Sequence, residues 1–411
     1  MEVFMKALQM DARPLRFAAA KTCAAILGKT SYLQGPGKTI RLVDIPEPVL
    51  PSDDWVKIRT HYCGFCGSDL NLITLHDAPG AQPFTSFPCI LGHEFIGEIV
   101  ETGAHVDHFK QGDRVAVNPV IGCEARGITP LCPWCQSGRT SQCENHAEGK
   151  FSPGMFLGIT KDLNGGFAPF VVAHKSQLFR IPECVSPKSA VMTEPVSVAL
   201  QTVLENRPSD HEKILIMGGG VIGNLIVQSI RALGCGCHIS VVDPSPFAGE
   251  FALQFGADEI IRPDQAFLRT AAITGAKLYK PVLGLPVPRG GFHRVYDTVG
   301  NSSTVNLSLR LLNTMGTLSI VGIGSDLKID PTTLWLKLQT IKGVYGYGLV
   351  ENNGKKHHVF DMAMEFMKED KIKAAELITH TFRLEDYRHM IRVNMNKVKY
   401  KAVKTIVSFQ D

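Results

Sequence analysis

The chain of 411 residues has no long apolar run. Its best candidate for a membrane span, Ile214 to Ile230, is broken by four glycines, an Asn and a Gln, whereas a spanning helix needs about 20 predominantly apolar residues. A membrane is therefore not expected as a partner. Charge of one sign is not in excess either. Lys and Arg number 43 against 39 Asp and Glu, a net +4, which creates no field to gather nucleic acid or an acidic surface. A secretory leader is not expected either. The mildly apolar stretch Phe17 to Leu27 is interrupted by Lys21 and preceded by Glu2 and Asp11, unlike a leader's basic start and unbroken apolar centre. A cytoplasmic address is the expectation. There is no internal repeat and no low-complexity tract. Of eleven cysteines, four crowd between Cys123 and Cys143 and the rest are scattered. In a large chain without a leader, such crowding points to metal rather than to a disulfide framework.

What is present is ordinary for a soluble globular protein: 44% apolar and 20% charged residues. The length exceeds what one hydrophobic core supports, so two domains are expected. Lys38 to Val117 reads as short strands and turns, with Trp55 to Thr60 and Arg114 to Val117 alternating or β-branched and Gly and Pro between them. The pattern changes near Glu194. A strand at Ile214–Met217 leads into a helix at Val221–Leu233, and a strand at Ile239–Val242 follows. Further strands fit Arg294–Tyr296, Thr317–Val321 and Ile341–Val344. This alternation predicts an α/β fold with a doubly wound parallel sheet beside a β-rich unit. A helix is expected at Val359–Met367 and a strand at Ala402–Val407.

Between the first strand and helix of the α/β part lies Gly218-Gly-Gly220-Val221-Ile222-Gly223. The first Gly permits a tight turn, the second lets the backbone approach a pyrophosphate, and the third lets helix and strand pack closely. The helix N-terminus then offers free N–H groups and the positive dipole end. Alone, such a turn is a weak signal. Asp243 strengthens it, lying twenty residues beyond Gly223 at the end of the next strand. A carboxylate there accepts hydrogen bonds from ribose hydroxyls and repels a 2′-phosphate. No Arg or Lys occurs between Pro244 and Glu250 to welcome that phosphate. NAD is thus favoured over NADP.

Two short segments carry metal-type donors: Gly64-Phe-Cys66-Gly-Ser68-Asp69 and Gly92-His93-Glu94. Thiolate and imidazole suit zinc, and three protein ligands with one open position make a catalytic site. Ser68 is placed to hydrogen-bond a substrate hydroxyl and pass its proton outward, and Asp69 to orient the ring of His93. Glu194, before Pro195, adds a carboxylate at the domain junction. Zinc there would lower the pKa of an alcohol and ease hydride departure to a nicotinamide. Singly, each residue has a plainer use: Cys66 as a small buried hydrophobe, Glu194 as an acid starting a helix. The set, followed by a dinucleotide turn, makes the case.

Cys132-Pro-Trp-Cys135 is a C-x2-C knuckle, with Cys143 downstream and Cys123 upstream. Four thiolates on one loop fit a closed structural zinc. A redox pair would not need the third and fourth Cys. A nucleic-acid-binding ribbon would show two paired knuckles with basic flanks, and neither is present.

In this order, Gly-x-Cys-Gly-Ser-Asp, Gly-His-Glu, cysteine lobe, Glu-Pro and Gly-x-Gly-x-x-Gly, the chain resembles the zinc-containing medium-chain dehydrogenases from Lys38 to the C-terminus. That resemblance implies a catalytic domain similar to a GroES barrel at 1–193 and 347–411, interrupted by a Rossmann domain at 194–346. Glu194-Pro195 looks like the sorbitol and threonine dehydrogenase branch. This implies Cys66, His93 and Glu94 as zinc ligands, with Glu194 as a fourth ligand or as the holder of a water at the metal. It also implies a homotetramer or homodimer, and a small alcohol or ketone as substrate. The alternatives are a larger cyclic or acyl-thioester-linked alcohol, or a retired enzyme that only binds zinc and NAD. Three features depart from the family. Eight residues, not two, separate Cys123 from Cys132. Asn71 stands where many relatives carry a proton-relaying histidine, for which His76 or a water is the expected substitute. Ala12–Gly35 and Tyr279–Gly291 are insertions.

Overall fold

The eleven-residue strand Trp55–Phe65 organises the β-rich part of the chain. Its β-branched and aromatic residues suit a pleated, half-buried surface. One edge pairs antiparallel with Glu94–Thr102 along most of its length. The other edge is shared: Phe170–His174 covers residues 55–59, and Lys404–Ser408 covers residues 62–65. Irregularities at Lys57/Ile58 and Thr60/Tyr62 add twist of the kind bulges produce. The sheet continues through Arg114–Val117 and Leu178–Arg180, and Ile378–Phe382 adds in parallel outside Lys404–Ser408. A smaller sheet holds Phe4–Met10 between Ile40–Pro46 and Cys89–Ile90. Ile58, Ile99 and Val115 are wholly buried in the shared core, each such side chain worth about 1.5–3 kcal/mol.

These coordinates come from a computed structural model, which describes residues 3–76, 79–324 and 326–410. The chain divides into two units: 1–194 with 347–368 and 374–411, and 195–346 with 369–373. Glu194 therefore groups with the first unit, one residue later than the boundary expected from sequence, and Glu369–Lys373 group with the second.

The second unit is a six-stranded parallel sheet among the described residues. Numbered within this unit, its strands are Lys213–Met217, His238–Val242, Glu259–Ile261, Phe292–Asp297, Leu312–Ile320 and Thr340–Gly343, and their spatial order is 3-2-1-4-5-6. That is the Rossmann arrangement anticipated from sequence, and its order reverses between the first and fourth strands. The strand core is fully apolar: Ile214, Leu215 and Ile216 are 0% exposed, as befits a sheet covered on both faces.

The first insertion is a helix, Pro14–Leu27, with Pro at its start and Gly28 after its end. It is anchored by Lys21 Nζ donating to Leu75 O at 2.7 Å. The second is a hairpin of Lys277–Tyr279 and Val287–Arg289, with Val282 and Leu283 exposed at its tip. Among the described residues, no helix is long and apolar enough to cross a membrane.

Candidate active site and metal centres

Three strand ends of the first unit meet at one point, because sheet register puts them there. Gly64 lies opposite Glu94, and Phe65 lies opposite Thr405. Cys66 follows the first strand and caps the helix Gly67–Ile73, while His93 and Glu94 open the second. The donor atoms of Cys66, His93 and Glu94 all lie within 4.8 Å of one another. A thiol, an imidazole and a carboxylate converging this closely fit a zinc ion in kind and number.

Asp69 ties this cluster together. Its Oδ2 accepts from the Cys66 backbone N–H at 2.9 Å, and its Oδ1 lies 3.5 Å from His93 Nδ1. The carboxylate is only 1% exposed, so it fixes both the loop and the ring, and leaves His93 Nε2 for other work. Ser68 Oγ stands 3.4 Å from that nitrogen. Burial acts to lower the pKa of His93, but the Asp69 charge and the ring's hydrogen bonds to Asp69 and Cys66 outweigh it and hold the imidazole well above its usual value. Gly92 admits this geometry with φ +97°. A Cβ there would come 2.7 Å from Cys63 Sγ and 2.8 Å from Phe167 N.

Sequence reasoning missed one member of the site. Lys404, 1% exposed, forms an ion pair with Glu94 Oε2 and also donates to Phe65 O at 3.2 Å. A Cβ on Gly64 would overlap the Glu94 carboxylate at this contact. Burial works against the lysine's charge, but Glu94 more than compensates, and the ammonium is held above its usual value. Glu194 sits at the start of the helix Thr193–Glu205, near Glu94 but outside the three-donor cluster. Burial, then repulsion from Glu94, pushes its carboxyl up to about 7, against a hydrogen bond from Tyr347. Asn71 offers no titratable group. His76 is exposed at the turn beyond the same helix, and its Nδ1 is 2.7 Å from Thr74 O.

The cysteine lobe closes despite its long first spacing. Cys123, Cys132, Cys135 and Cys143 bring their sulfurs within 4.8 Å of one another. The Cys123–Cys143 and Cys132–Cys143 separations are 3.6 and 3.9 Å. Zn–S bonds of about 2.3 Å at tetrahedral angles place sulfurs about 3.8 Å apart, so the fit is close. Backbone N–H groups of Cys132, Cys123 and Asn145 point at Cys123, Cys135 and Cys143 sulfurs at 3.4, 3.5 and 3.4 Å, and such donors stabilise thiolates. The hydrogen bond from Cys135 above all draws the Cys143 thiol down to about 5. Arg126, one of the eight residues between Cys123 and Cys132, is 0% exposed and anchors this loop. Its guanidinium donates to the carbonyls of Ile121, Glu148, Phe151, Ser152 and Gly154.

Beside the lobe, His358 packs on Phe179 with ring centres 4.5 Å apart, and its Nδ1 accepts from Phe360 N at 3.2 Å. The acceptor role requires a neutral ring, and burial lowers its pKa to about 4. Between the usual value near 6.5 and about 4, the unfolded chain takes up a proton that the folded chain refuses. Stability therefore falls as pH drops through that window, by up to about 3 kcal/mol. Urea unfolding in chelator at pH 7.5 and pH 4.5 should show this loss, and His358→Asn, whose carbonyl can still accept from Phe360, should reduce it. An unchanged pH dependence in the variant refutes the assignment.

In the second unit, the glycine turn has the geometry its spacing implied. Gly218 has φ +97°, a Cβ on Gly223 would overlap Gly218 O, and a Cβ on Gly220 would meet open space. Gly220 thus borders the opening above the N-terminus of the helix Val221–Ala232, whose first-turn amides lack intrahelical acceptors. Asn224 Nδ2 pins the turn by donating to Gly219 O at 2.6 Å. Asp243 lies alongside: its Oδ2 accepts from Gly219 N at 2.6 Å and its Oδ1 from Ser245 N at 2.7 Å. Each oxygen keeps a lone pair for a ribose hydroxyl. The turn, the helix end and the acid together fit a dinucleotide.

Comparison with known proteins agrees with both halves. Residues 52–183 match the alcohol dehydrogenase GroES-like domain, and residues 221–369 match the zinc-binding dehydrogenase model. The chain is 29% identical over 350 residues to sorbitol dehydrogenase of Bacillus subtilis (strain 168), covering 85% of this chain and 88% of the relative. It is 28% identical over 359 residues to (R,R)-butanediol dehydrogenase of the same strain, covering 85% and 91%. A solved alcohol dehydrogenase from Escherichia coli CFT073, complexed with NADH, shares the fold with a TM-score of 0.75 at 23% identity, covering 99% of each chain. With a GroES-like unit that gathers Cys66, His93 and Glu94, and a Rossmann unit that carries the glycine turn, the chain belongs to the zinc-containing medium-chain dehydrogenase family.

Proposed function

We propose that the protein is a zinc- and NAD-dependent dehydrogenase that oxidises a secondary alcohol or a polyol. The carrying observation is the convergence of Cys66, His93 and Glu94, with Ser68 at its edge, in a chain that also holds the glycine turn and Asp243. The relatives named for sorbitol and butanediol support the substrate class. In this reading the first unit is catalytic and the second binds the dinucleotide. Cys66, His93 and Glu94 hold the catalytic zinc, and the four lobe cysteines hold a structural one. When bound, the catalytic zinc supplies the Lewis acidity that makes an alcohol acidic near neutral pH. The protein's own residues do the rest. Asp69 keeps His93 in one orientation, Ser68 takes the proton of the substrate hydroxyl, and Glu194 and Lys404 set the charge around Glu94. Asn71 cannot carry that proton onward, which leaves His76 or water for its exit.

Asp243 selects NAD by accepting from the ribose hydroxyls. A panel of secondary alcohols and polyols, followed at the absorbance of reduced nicotinamide, tests the proposal. Failure of every alcohol to reduce NAD, with zinc bound, defeats it. Asp243→Ala should raise the KM for NAD about 10- to 100-fold, the worth of hydrogen bonds to a charged acceptor, and the KM for NADP much less. Equal losses for both contradict the assigned role. Members of a homodimer or homotetramer would cover Met315, Trp335 and Leu338. These residues are 75%, 77% and 71% exposed and lie side by side, with Met315 N bonded to Lys337 O, and an apolar patch of this kind is a usual subunit contact.

A further inference from the structure

Ser141 lies in the short turn Thr140–Gln142, between Cys135 and Cys143 of the lobe, and is 2% exposed. Its hydroxyl donates to Tyr347 O at 2.8 Å and accepts from Tyr347 N at 3.0 Å. One side chain thus satisfies both backbone groups of a residue 206 positions away. The next residues reinforce the contact. Leu349 N donates to Gly138 O at 3.0 Å, and a Cβ on Gly348 would stand 2.8 Å from the same oxygen. The ring of Tyr347 is 4% exposed and packs edge-on against Phe360, with centres 4.9 Å apart. Its hydroxyl hydrogen-bonds the Glu194 carboxylate.

A ring that only filled space would need neither the backbone clamp nor the hydroxyl, since phenylalanine would pack on Phe360 equally well. The hydroxyl answers a particular need. Glu94 and Glu194 repel each other, and Lys404 is committed to Glu94. The Tyr347 hydroxyl supplies Glu194 with a donor of its own.

We propose that Tyr347 is a positioning residue: Ser141 of the four-cysteine lobe holds its backbone, its hydroxyl holds Glu194, and the lobe is thereby coupled to the Cys66–His93–Glu94 centre. The proposal rests on the metal-site reading above. It gives the lobe a task beyond stability, because a distortion at Cys135 or Cys143 reaches Glu194 through two side chains.

Tyr347→Phe keeps the ring packing and removes only the hydroxyl. Loss of an orienting partner at a metal site costs about 10- to 100-fold, so kcat should fall by that factor while the KM for NAD stays unchanged. The visible absorption bands of protein carrying Co2+ in the catalytic site should shift, while the Tm falls by no more than a few degrees, the loss of one buried donor. Ser141→Ala should move the same bands in the same direction without loss of lobe metal. The double variant should be no worse than Tyr347→Phe, because the two residues act in one path. Wild-type bands in Tyr347→Phe overturn the proposal. So do additive losses in the double variant, or a Ser141→Ala protein that loses only Tm. Should Tyr347→Phe not fold, the Ser141→Ala bands decide alone. If the wild-type enzyme oxidises no alcohol, the dehydrogenase reading fails, while the cobalt bands still test the coupling.

Discussion

Replacing Cys66 by alanine is expected to lower kcat/KM by at least about 10³-fold, since Lewis-acid stabilisation is worth several kcal/mol and each 1.36 kcal/mol is tenfold in rate. The variant should still fold. The structural work of Cys66 is done by its backbone, whose N–H is held by Asp69 Oδ2 at 2.9 Å at the head of the helix Gly67–Ile73. Alanine keeps that bond. The Cys66 side chain is only partly buried, so its loss opens little cavity. The lobe binds metal through other residues, at 123–143. Metal analysis should therefore find two zinc ions per chain in the wild type and one in Cys66→Ala. Cys135→Ser should also retain one, with the catalytic site occupied and the loss falling on stability. Two zinc ions and wild-type turnover in Cys66→Ala would remove this residue from the site.

The features readable in the sequence are those whose geometry is local. The glycine turn spans six residues, and φ +97° at Gly218 and the tight approach at Gly223 follow from chain spacing alone. Asp69 lies three residues from Cys66, one helical turn on, so its bond to the Cys66 amide is a matter of helix capping. The parallel sheet was visible as apolar strands alternating with helical segments, because such strands are buried on both faces.

What was hidden depends on distant pairing. The run Ala402–Val407 reads as a strand, but nothing in it says that its neighbour is Tyr62–Phe65, or that Lys404 will therefore meet Glu94, 310 residues away. A lysine inside a β-run, with Lys397, Lys399 and Lys401 just before it, looks like one more solvated charge. The Ser141–Tyr347 contact is hidden in the same way. Arg126 is a different case: its five carbonyl partners are backbone groups of a loop, and backbone acceptors leave no mark on composition. The one available signal was a glycine. Gly64, just before Phe65 and Cys66, has no local turn to explain it, and a glycine inside a strand often marks a close approach by another group. That group is the Glu94–Lys404 pair.

Lys404→Met is expected to destabilise the metal-free protein by about 3–5 kcal/mol, the usual cost of removing one partner from a buried ion pair. The pair itself need not be strongly stabilising, because both ions lose their water. The cost arises from what is left behind. Glu94 is 1% exposed, and without Lys404 its carboxylate loses its ion-pair partner and keeps only the weaker attraction of Lys397 and the His93 ring, with Glu194 close enough to repel it. Methionine fills the volume of the lysine stem but supplies no charge and no donor to Phe65 O. Zinc changes the balance, since a divalent cation between Cys66, His93 and Glu94 compensates the same carboxylate. The penalty of Lys404→Met should therefore be markedly smaller in zinc-loaded protein than in chelated protein. By linkage, zinc should stabilise the variant more than it stabilises the wild type. Unfolding midpoints of both proteins, with zinc and with chelator, give this difference directly, and the lobe's own zinc contributes equally to both proteins and cancels. A penalty of the same size in both conditions would mean that Lys404 supports the sheet through Phe65 and not the charge of Glu94.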